Sequence, residues 1–308
     1  MDEVIKSKVL ITGGSGLLAL NWAITSRQKF DILLCLHKRK VNIKSTKTVH
    51  IDLNTREEIT KVLSIEKPKA VIHTVAITSI EECEKNPIQA HHVNVTLTEN
   101  IAQVCAKLNI KFVYISTDHL FNGESSFSNE SSLAKPLNVY AKTKYDAENV
   151  LTKICPSALI IRTNFYCWGP SYRLSFSDFI IKNLKSNNKI KLFKDVFYTP
   201  TLAETVIKAV EELIHNDHSG VFNIASSERI SKYDFGLKIA NIFDLNSSLI
   251  IKSSLVEQKN LIKRPLDMSL SNKKILEVLS FKISDIDNQI NKLKEQKLSG
   301  VFNELELI

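Results

Sequence analysis

Residues 9–19, Val9-Leu10-Ile11-Thr12-Gly13-Gly14-Ser15-Gly16-Leu17-Leu18-Ala19, decide the fold of this chain. A short β-branched apolar run stops at a glycine-rich turn, and apolar residues at helical spacing follow the turn. A strand, a tight turn and a helix in this order place backbone N–H groups and a helix N-terminus where they can bind a pyrophosphate. The glycines fit both Gly-x-x-Gly-x-x-Ala and Gly-x-Gly-x-x-Ala, so the subfamily stays open. The predicted cofactor-binding residues of the turn are Gly13, Gly14, Ser15, Gly16 and Leu17.

The second apolar run, residues 32–36, indicates which dinucleotide the turn binds. An NAD-specific protein normally places an Asp or Glu after this strand, to bind the adenosine ribose hydroxyls. Here the chain has His37-Lys38-Arg39-Lys40. Ammonium and guanidinium groups suit a 2′-phosphate, so His37, Lys38 and Arg39 predict NADP(H), with NAD(H) as the alternative cofactor. A solvated basic loop is the competing interpretation.

Strand-like runs alternate with helical patterns through the first half of the chain. The predicted strands are residues 9–11, 32–36, 70–74, 112–115 and 159–161, and residues 87–108 predict one long helix. Such alternation predicts an α/β fold with a Rossmann-type doubly wound parallel sheet. We expect a cofactor domain at 1–168 and a smaller mixed α/β carboxyl-terminal lobe at 169–308, with some elements interleaved. In that lobe, Thr201-Leu202-Ala203-Glu204 predicts a capping box, and residues 220–225 and 250–251 predict strands.

Composition narrows the class of protein. The chain has 308 residues and a formal charge of +8, but its basic residues are dispersed and resemble no nucleic-acid-binding module. No run approaches the roughly 18 apolar residues that span a bilayer, and residues 1–8 lead straight into the first strand, so we expect a cytoplasmic protein without a leader. Five scattered cysteines predict reduced structural thiols, and no metal-ligand set is expected.

Tyr140 and Lys144 indicate a chemical activity. The two residues are four apart in a segment that reads as helix, so they share one helix face. An ammonium beside a phenol favours the phenolate and lowers the phenol's pKa, which is about 10 in free tyrosine. The pair therefore predicts a proton donor that works near neutral pH. Ser116-Thr117-Asp118 ends the preceding strand and adds weight to this interpretation.

Three segments together resemble the extended short-chain dehydrogenase/reductases, and within them the dTDP-4-dehydrorhamnose reductase branch. They are residues 12–16, 116–123 and 140–144, and further matching landmarks extend to about residue 274. The resemblance implies that Thr117 hydrogen-bonds the reacting oxygen, that Tyr140 is the acid/base, and that Lys144 tunes Tyr140 and holds the nicotinamide ribose. It also implies that Asp52 and Leu53 lie near the adenine and Ala76 near the nicotinamide.

The resemblance also implies a set of substrate-binding residues. They are Thr78, Thr117, Asp118, His119, Phe165, Trp168 and Arg264, with the arginine expected to pair with a nucleotide diphosphate. Some positions depart from the branch. His119 stands where a tyrosine is usual, and Phe165 stands where a substrate-facing tryptophan is expected, so we expect Trp168 to compensate.

The leading hypothesis is an NADP(H)-dependent reductase of a nucleotide-linked 4-keto-6-deoxy sugar. A sugar-nucleotide epimerase is the alternative enzyme, because it shares the glycine turn and the Tyr-x-x-x-Lys pattern. A dehydratase is disfavoured, since Asp118-His119 follows the threonine where dehydratases have an Asp-Glu pair. A non-catalytic subunit resembling the regulatory partner of methionine adenosyltransferase is the third hypothesis. The sugar, the base, a divalent ion's role and the oligomeric state stay open, although a homodimer is compatible.

Overall fold

The computed structural model describes residues 6–308. The prediction that the chain has no leader concerns partly residues 1–5, which lie outside the described residues. Seven parallel strands form the central sheet: β1 Lys8–Thr12, β2 Asp31–Leu36, β3 Lys47–His50, β4 Ala70–His73, β5 Lys111–Ile115, β6 Leu159–Arg162 and β11 Gly220–Asn223. Their spatial order is β11-β6-β5-β4-β1-β2-β3. This order places the topological switch point between β1 and β4, where α/β sheets bind ligands.

Both faces of the sheet are buried under helices. Along β1, Val9 and Ile11 pack into one apolar core, whereas Leu10 packs into the opposite one. Successive strand side chains point to opposite faces, so a continuous apolar strand requires cover on both sides. The predicted doubly wound α/β fold is therefore confirmed.

The helices supply that cover. Their bounds are α1 Leu17–Ser26, α2 Arg56–Glu66, α3 Ile80–Lys85, α4 Pro87–His91, α5 Leu97–Lys107, α6 Val139–Ile154, α7 Phe176–Lys185, α8 Ala203–His215, α9 Lys232–Ile242, α10 Lys273–Leu276 and α11 Ile286–Leu298. Helices α1 and α8 pack together on one face, and α2, α5 and α6 pack on the other. None of the helices in the described part of the chain is long and apolar enough to cross a membrane.

The later part of the chain forms short sheets around α7, α9 and α11. Their strands are β7 Phe165–Tyr166, β8 Ile190–Phe193, β9 Phe197–Tyr198, β10 Thr201–Leu202, β12 Ile230–Ser231 and β13 Ile250–Ser253. They pair as β10 with β7, β12 with β9 and β13 with β8. Strand β11 leaves this region and joins β6 at the edge of the central sheet. The domain boundary at residue 168 stays a prediction.

Three local predictions differ from the structure. The capping box is wrong: Thr201 lies in β10, its N–H donates to the Asn164 carbonyl, and α8 begins at Ala203 with no side-chain cap. The long helix over 87–108 contains a π-helical turn, His92–Thr96, between α4 and α5. Strand β3 was not predicted, because this edge strand is mostly exposed and lacks an apolar run. The five cysteines are buried and free, as predicted.

Candidate active site

The glycine turn after β1 has the geometry of an anion site. Gly13 has φ +67°, and a Cβ there would lie 2.9 Å from the Thr74 hydroxyl oxygen, so only glycine fits. Gly16 precedes α1 without a side-chain cap, and the first turn of α1 carries no acidic residue. The first N–H groups of α1 are therefore free of side-chain acceptors, and the helix dipole favours a negative group there.

A cleft with a volume of about 380 Å³ opens at the carboxyl ends of the central strands. It is lined from the glycine turn, from the loop after β4, from the ends of β5 and β6, and from the chain that leads into α7. The predicted site residues along its wall are Gly16, Leu17, Ala76, Thr78, Thr117, Asp118, His119, Phe165, Tyr140 and Lys144. The structure thus brings the predicted catalytic residues and one end of the glycine turn to a single cavity.

The three predicted catalytic side chains are buried at the cleft. Thr117 is 4 %, Tyr140 8 % and Lys144 3 % exposed. The Thr117 hydroxyl donates to Asp118 at 3.3 Å and accepts the His119 N–H at 3.2 Å, so it is held in place. The Lys144 ammonium donates to the Ile115 carbonyl at 2.6 Å.

Burial also determines the protonation of Tyr140 and Lys144. It raises the pKa of Tyr140 well above its ordinary value, and the hydroxyl of Thr117 lowers that pKa only in part. The predicted lowering of the Tyr140 pKa by Lys144 is therefore not met. Burial of Tyr140 itself is the largest cause of the upward shift of its pKa. Lys144 is desolvated too: burial lowers its pKa to about 7, against the attraction of Glu148. Tyr140 is thus a neutral O–H donor, and Lys144 is an amine that exchanges protons near neutrality.

Asn94 connects the loop after β4 to helix α6, which carries Tyr140 and Lys144. Its side chain is fully buried, and its amide donates to the Ile77 carbonyl at 3.0 Å and to the Thr143 hydroxyl at 2.9 Å. Its carbonyl oxygen accepts the Ile77 N–H at 2.8 Å. Asn94 belongs to the π-helical turn, a geometry that occurs often near functional sites. The loop that carries Ala76 is therefore fixed to the helix that carries Tyr140.

A polar cluster surrounds Asp118 in the part of the cleft where the substrate is predicted to bind. Burial raises the pKa of Asp118 to about 6, while the Asn164 amide, donating at 2.7 Å, opposes this shift. Burial lowers the pKa of His119 to about 3, and its Nδ1 has no partner among the described residues. His119 is thus a neutral imidazole with one buried, unpaired ring nitrogen. Lys232 adds positive charge, with its ammonium 4.9 Å from the Phe176 ring centroid.

Several cleft residues were not predicted from the sequence. Asn164, Arg173, Ser175 and Phe176 line the cavity, and the Arg173 guanidinium donates to the Thr78 hydroxyl at 3.0 Å. Arg173 and Lys232 are two of 41 basic residues and lie in no motif. Only the Ser-x-x-Asp pattern that opens α7, a capping box from Ser175 to Asp178, marks this region in the sequence.

Two predicted substrate residues do not line the cleft. Trp168 is buried, and its indole N–H donates to the Leu293 carbonyl at 2.9 Å, because the ring is part of the carboxyl-terminal core. Arg264 forms an ion pair with Glu81 at 2.5 Å, which occupies the guanidinium predicted to pair with a diphosphate. The structure therefore does not support Trp168 as the replacement for the expected tryptophan.

The residues predicted to bind the adenosine end lie beyond the cavity wall. His37, Lys38 and Arg39 are exposed after β2. Asp52 is exposed and accepts hydrogen bonds from Asn54, whereas Leu53 is buried in the core on the α2 side. Gly13, Gly14 and Ser15 form the turn itself. Their roles toward a cofactor stay predictions.

A Rossmann-type sheet whose glycine turn shares one cleft with Thr117, Tyr140 and Lys144 defines a protein of the extended short-chain dehydrogenase/reductase class. Residues 7–298 match the model of the RmlD substrate binding domain family, and the chain belongs to that family.

Relatives and solved structures agree with this membership. A probable low-salt glycan biosynthesis reductase, Agl14 of Haloferax volcanii, is 28% identical over 259 residues, which cover 83% of this chain and 86% of the relative. The methionine adenosyltransferase 2 subunit beta of Xenopus laevis is 27% identical, covering 80% of this chain and 75% of its own. The structure of dTDP-4-dehydrorhamnose reductase from Bacillus anthracis, in complex with NADP, superposes with a TM-score of 0.83 at 21% identity, covering 94% and 99%.

Proposed function

We propose that this protein is an NADP(H)-dependent reductase of a nucleotide-activated 4-keto-6-deoxy sugar. The observation that carries the proposal is the convergence of Thr117, Tyr140 and Lys144 on the cleft that also contains the start of α1. Reductases among the relatives, and NADP in the Bacillus anthracis structure, support the reaction class and the cofactor.

The glycine turn fits a dinucleotide. A Cβ at Gly13 would clash with Thr74, and the first turn of α1 has neither a side-chain cap nor a carboxylate, which leaves room and free N–H groups for a pyrophosphate. When bound, the nicotinamide supplies a hydride to the sugar's carbonyl carbon. Ala76 lines the cleft on the side where the resemblance expects this ring.

Tyr140 then donates its O–H proton to the carbonyl oxygen, which becomes the product hydroxyl. Thr117 stabilises the developing alkoxide by turning its hydroxyl proton from Asp118 to the reacting oxygen, while the His119 N–H still donates to the Thr117 oxygen. Lys144, with its pKa lowered to about 7, can return a proton to Tyr140 after turnover. At the sugar end, the neutral His119 imidazole lines the cleft and can contact the substrate.

The similarity to a methionine adenosyltransferase subunit supports a second candidate, a nucleotide-binding subunit without turnover. Intact catalytic side chains favour the reductase. The epimerase hypothesis differs from both, because an epimerase retains its oxidised cofactor through the cycle.

One experiment separates the three candidates. The purified protein is examined for bound nucleotide, and NADPH oxidation is then followed with a panel of nucleotide-linked keto sugars. Oxidation in proportion to one sugar, lost in Tyr140→Phe, is the result expected for a reductase. Bound NAD⁺ with sugar interconversion and no net oxidation would identify an epimerase. Nucleotide binding without either reaction would leave the subunit role.

A further inference from the structure

Tyr172 connects two parts of the cofactor site that lie far apart in sequence. Its hydroxyl donates to the Ser15 carbonyl of the glycine turn at 2.7 Å. The Arg39 guanidinium lies over the face of its ring, with Cζ 3.7 Å from the ring centroid. Tyr172 therefore stands between the turn that would bind the pyrophosphate and the basic loop after β2.

Contacts other than that of Arg39 also hold the segment that carries Tyr172. Residues 170–174, here called the strap, fold back so that the Arg173 N–H donates to the Pro170 carbonyl at 3.0 Å. A Cβ at Gly169 would lie 2.3 Å from the Arg173 carbonyl oxygen, so the close packing of the strap against residue 169 requires glycine. The Arg173 guanidinium donates to the Thr78 hydroxyl in the loop after β4. The strap therefore contacts the glycine turn through Tyr172 and the loop after β4 through Arg173.

Arg39 differs from its basic neighbours because its guanidinium rests on the Tyr172 ring. It is exposed, and an exposed arginine loses considerable side-chain entropy when a ligand fixes it. A guanidinium already resting on an aromatic face has lost part of that freedom before the ligand arrives. Among the described residues, His37, Lys38 and Lys40 have no such contact with an aromatic ring.

We propose that Tyr172 is a positioning residue for cofactor selectivity, which holds Arg39 at the glycine turn to meet the 2′-phosphate of the cofactor's adenosine ribose. The inference rests on the proposed function, because it assumes that the cofactor is NADP(H). It gives the strap a role in discriminating NADPH from NADH, which differ only in that phosphate.

The test measures NADPH and NADH dissociation constants by fluorescence titration of the full chain. We expect Tyr172→Leu to lower the ratio of NADPH affinity to NADH affinity roughly two- to fivefold, the size of an exposed cation–π contact. Tyr172→Phe, which keeps the ring face, should retain most of the selectivity. Arg39→Ala should remove more of it, and Tyr172→Leu should add little in an Arg39→Ala background.

Tyr233 provides a matched control. It is half-buried, and the Lys252 ammonium lies 5.1 Å from its ring centroid, away from the cleft lining. Tyr233→Leu should leave both affinities unchanged. Tyr172→Gln carries the same comparison if Tyr172→Leu does not fold.

The outcomes distinguish the inference from the function beneath it. Equal loss of NADPH and NADH affinity in Tyr172→Leu, or an unchanged ratio while Arg39→Ala lowers it, would overturn the role of Tyr172 and leave the reductase proposal intact. A wild-type protein that binds NADH as tightly as NADPH would overturn the cofactor assignment itself, and the inference with it.

Discussion

Replacing Asn94 with alanine tests whether its hydrogen bonds, which connect the loop after β4 to α6, shape the predicted cofactor site. The change removes three hydrogen bonds, two to Ile77 and one to Thr143, from a fully buried side chain. At about 1 kcal/mol of net stabilisation for each bond, the free energy of unfolding should fall by about 3 kcal/mol. Because the loop carries Ala76 into the cleft, NADPH affinity should fall as well, by roughly tenfold for a loop displaced by part of an ångström.

Asn223 is the matched control for this variant. It is also fully buried, its amide donates to the carbonyls of Ser128 and Ser271, and none of these three residues lines the cleft. Asn223→Ala should lower the free energy of unfolding by about 2 kcal/mol and leave NADPH affinity unchanged. Urea unfolding followed by circular dichroism and fluorescence titration of NADPH give the two quantities. If Asn94→Ala loses stability but binds NADPH normally, these hydrogen bonds are structural and the reasoning about the loop is refuted.

Three further variants test the chemistry, the strap and the electrostatics. Tyr140→Phe should reduce turnover by about 10²–10⁴-fold with NADPH affinity retained, and a near-normal rate on the true substrate would remove the phenol from the mechanism. Gly169→Ala should lower the free energy of unfolding by about 1–3 kcal/mol, since its Cβ would lie 2.3 Å from the Arg173 carbonyl oxygen; an unchanged urea midpoint would contradict this packing. In the folded protein the pKa of Asp118 is raised from 3.8 to about 6, so the protonated carboxyl stabilises the folded state. This stabilisation is fully present below pH 3.8 and is lost as the pH rises through 6. Relative to Asp118→Asn, the wild type should therefore lose up to about 3 kcal/mol of unfolding free energy between pH 4 and pH 7, and parallel stability profiles would exclude the shift.

The central sheet could be predicted because its strands are buried on both faces. A segment such as 32–36 must be continuously apolar, and that run is visible in the sequence. Strand β3 has no such signature, since it pairs only with β2 and exposes Lys47, Thr48 and His50. Its place depends on a neighbour rather than on its own composition.

The placement of Tyr140 and Lys144 on one helix could be predicted because the proposed chemistry requires a fixed local spacing of four residues. The protonation of Tyr140 could not, because it depends on how completely the surrounding chain excludes water. Trp168 illustrates a different difficulty. The sequence places it near the cleft, but its partner Leu293 is 125 residues further along the chain, and only the tertiary packing shows that the indole belongs to the core.

Strand β11 has a consequence for synthesis of the chain on the ribosome. Strand β6 ends at Arg162, but its outer neighbour begins at Gly220. While the intervening residues are being translated, the backbone N–H and C=O groups along one side of β6 have no partner strand. An unpaired strand edge is where nascent chains associate with one another. A fragment ending at residue 168 would keep that edge exposed permanently and should aggregate, whereas one extended through β11 can complete the sheet.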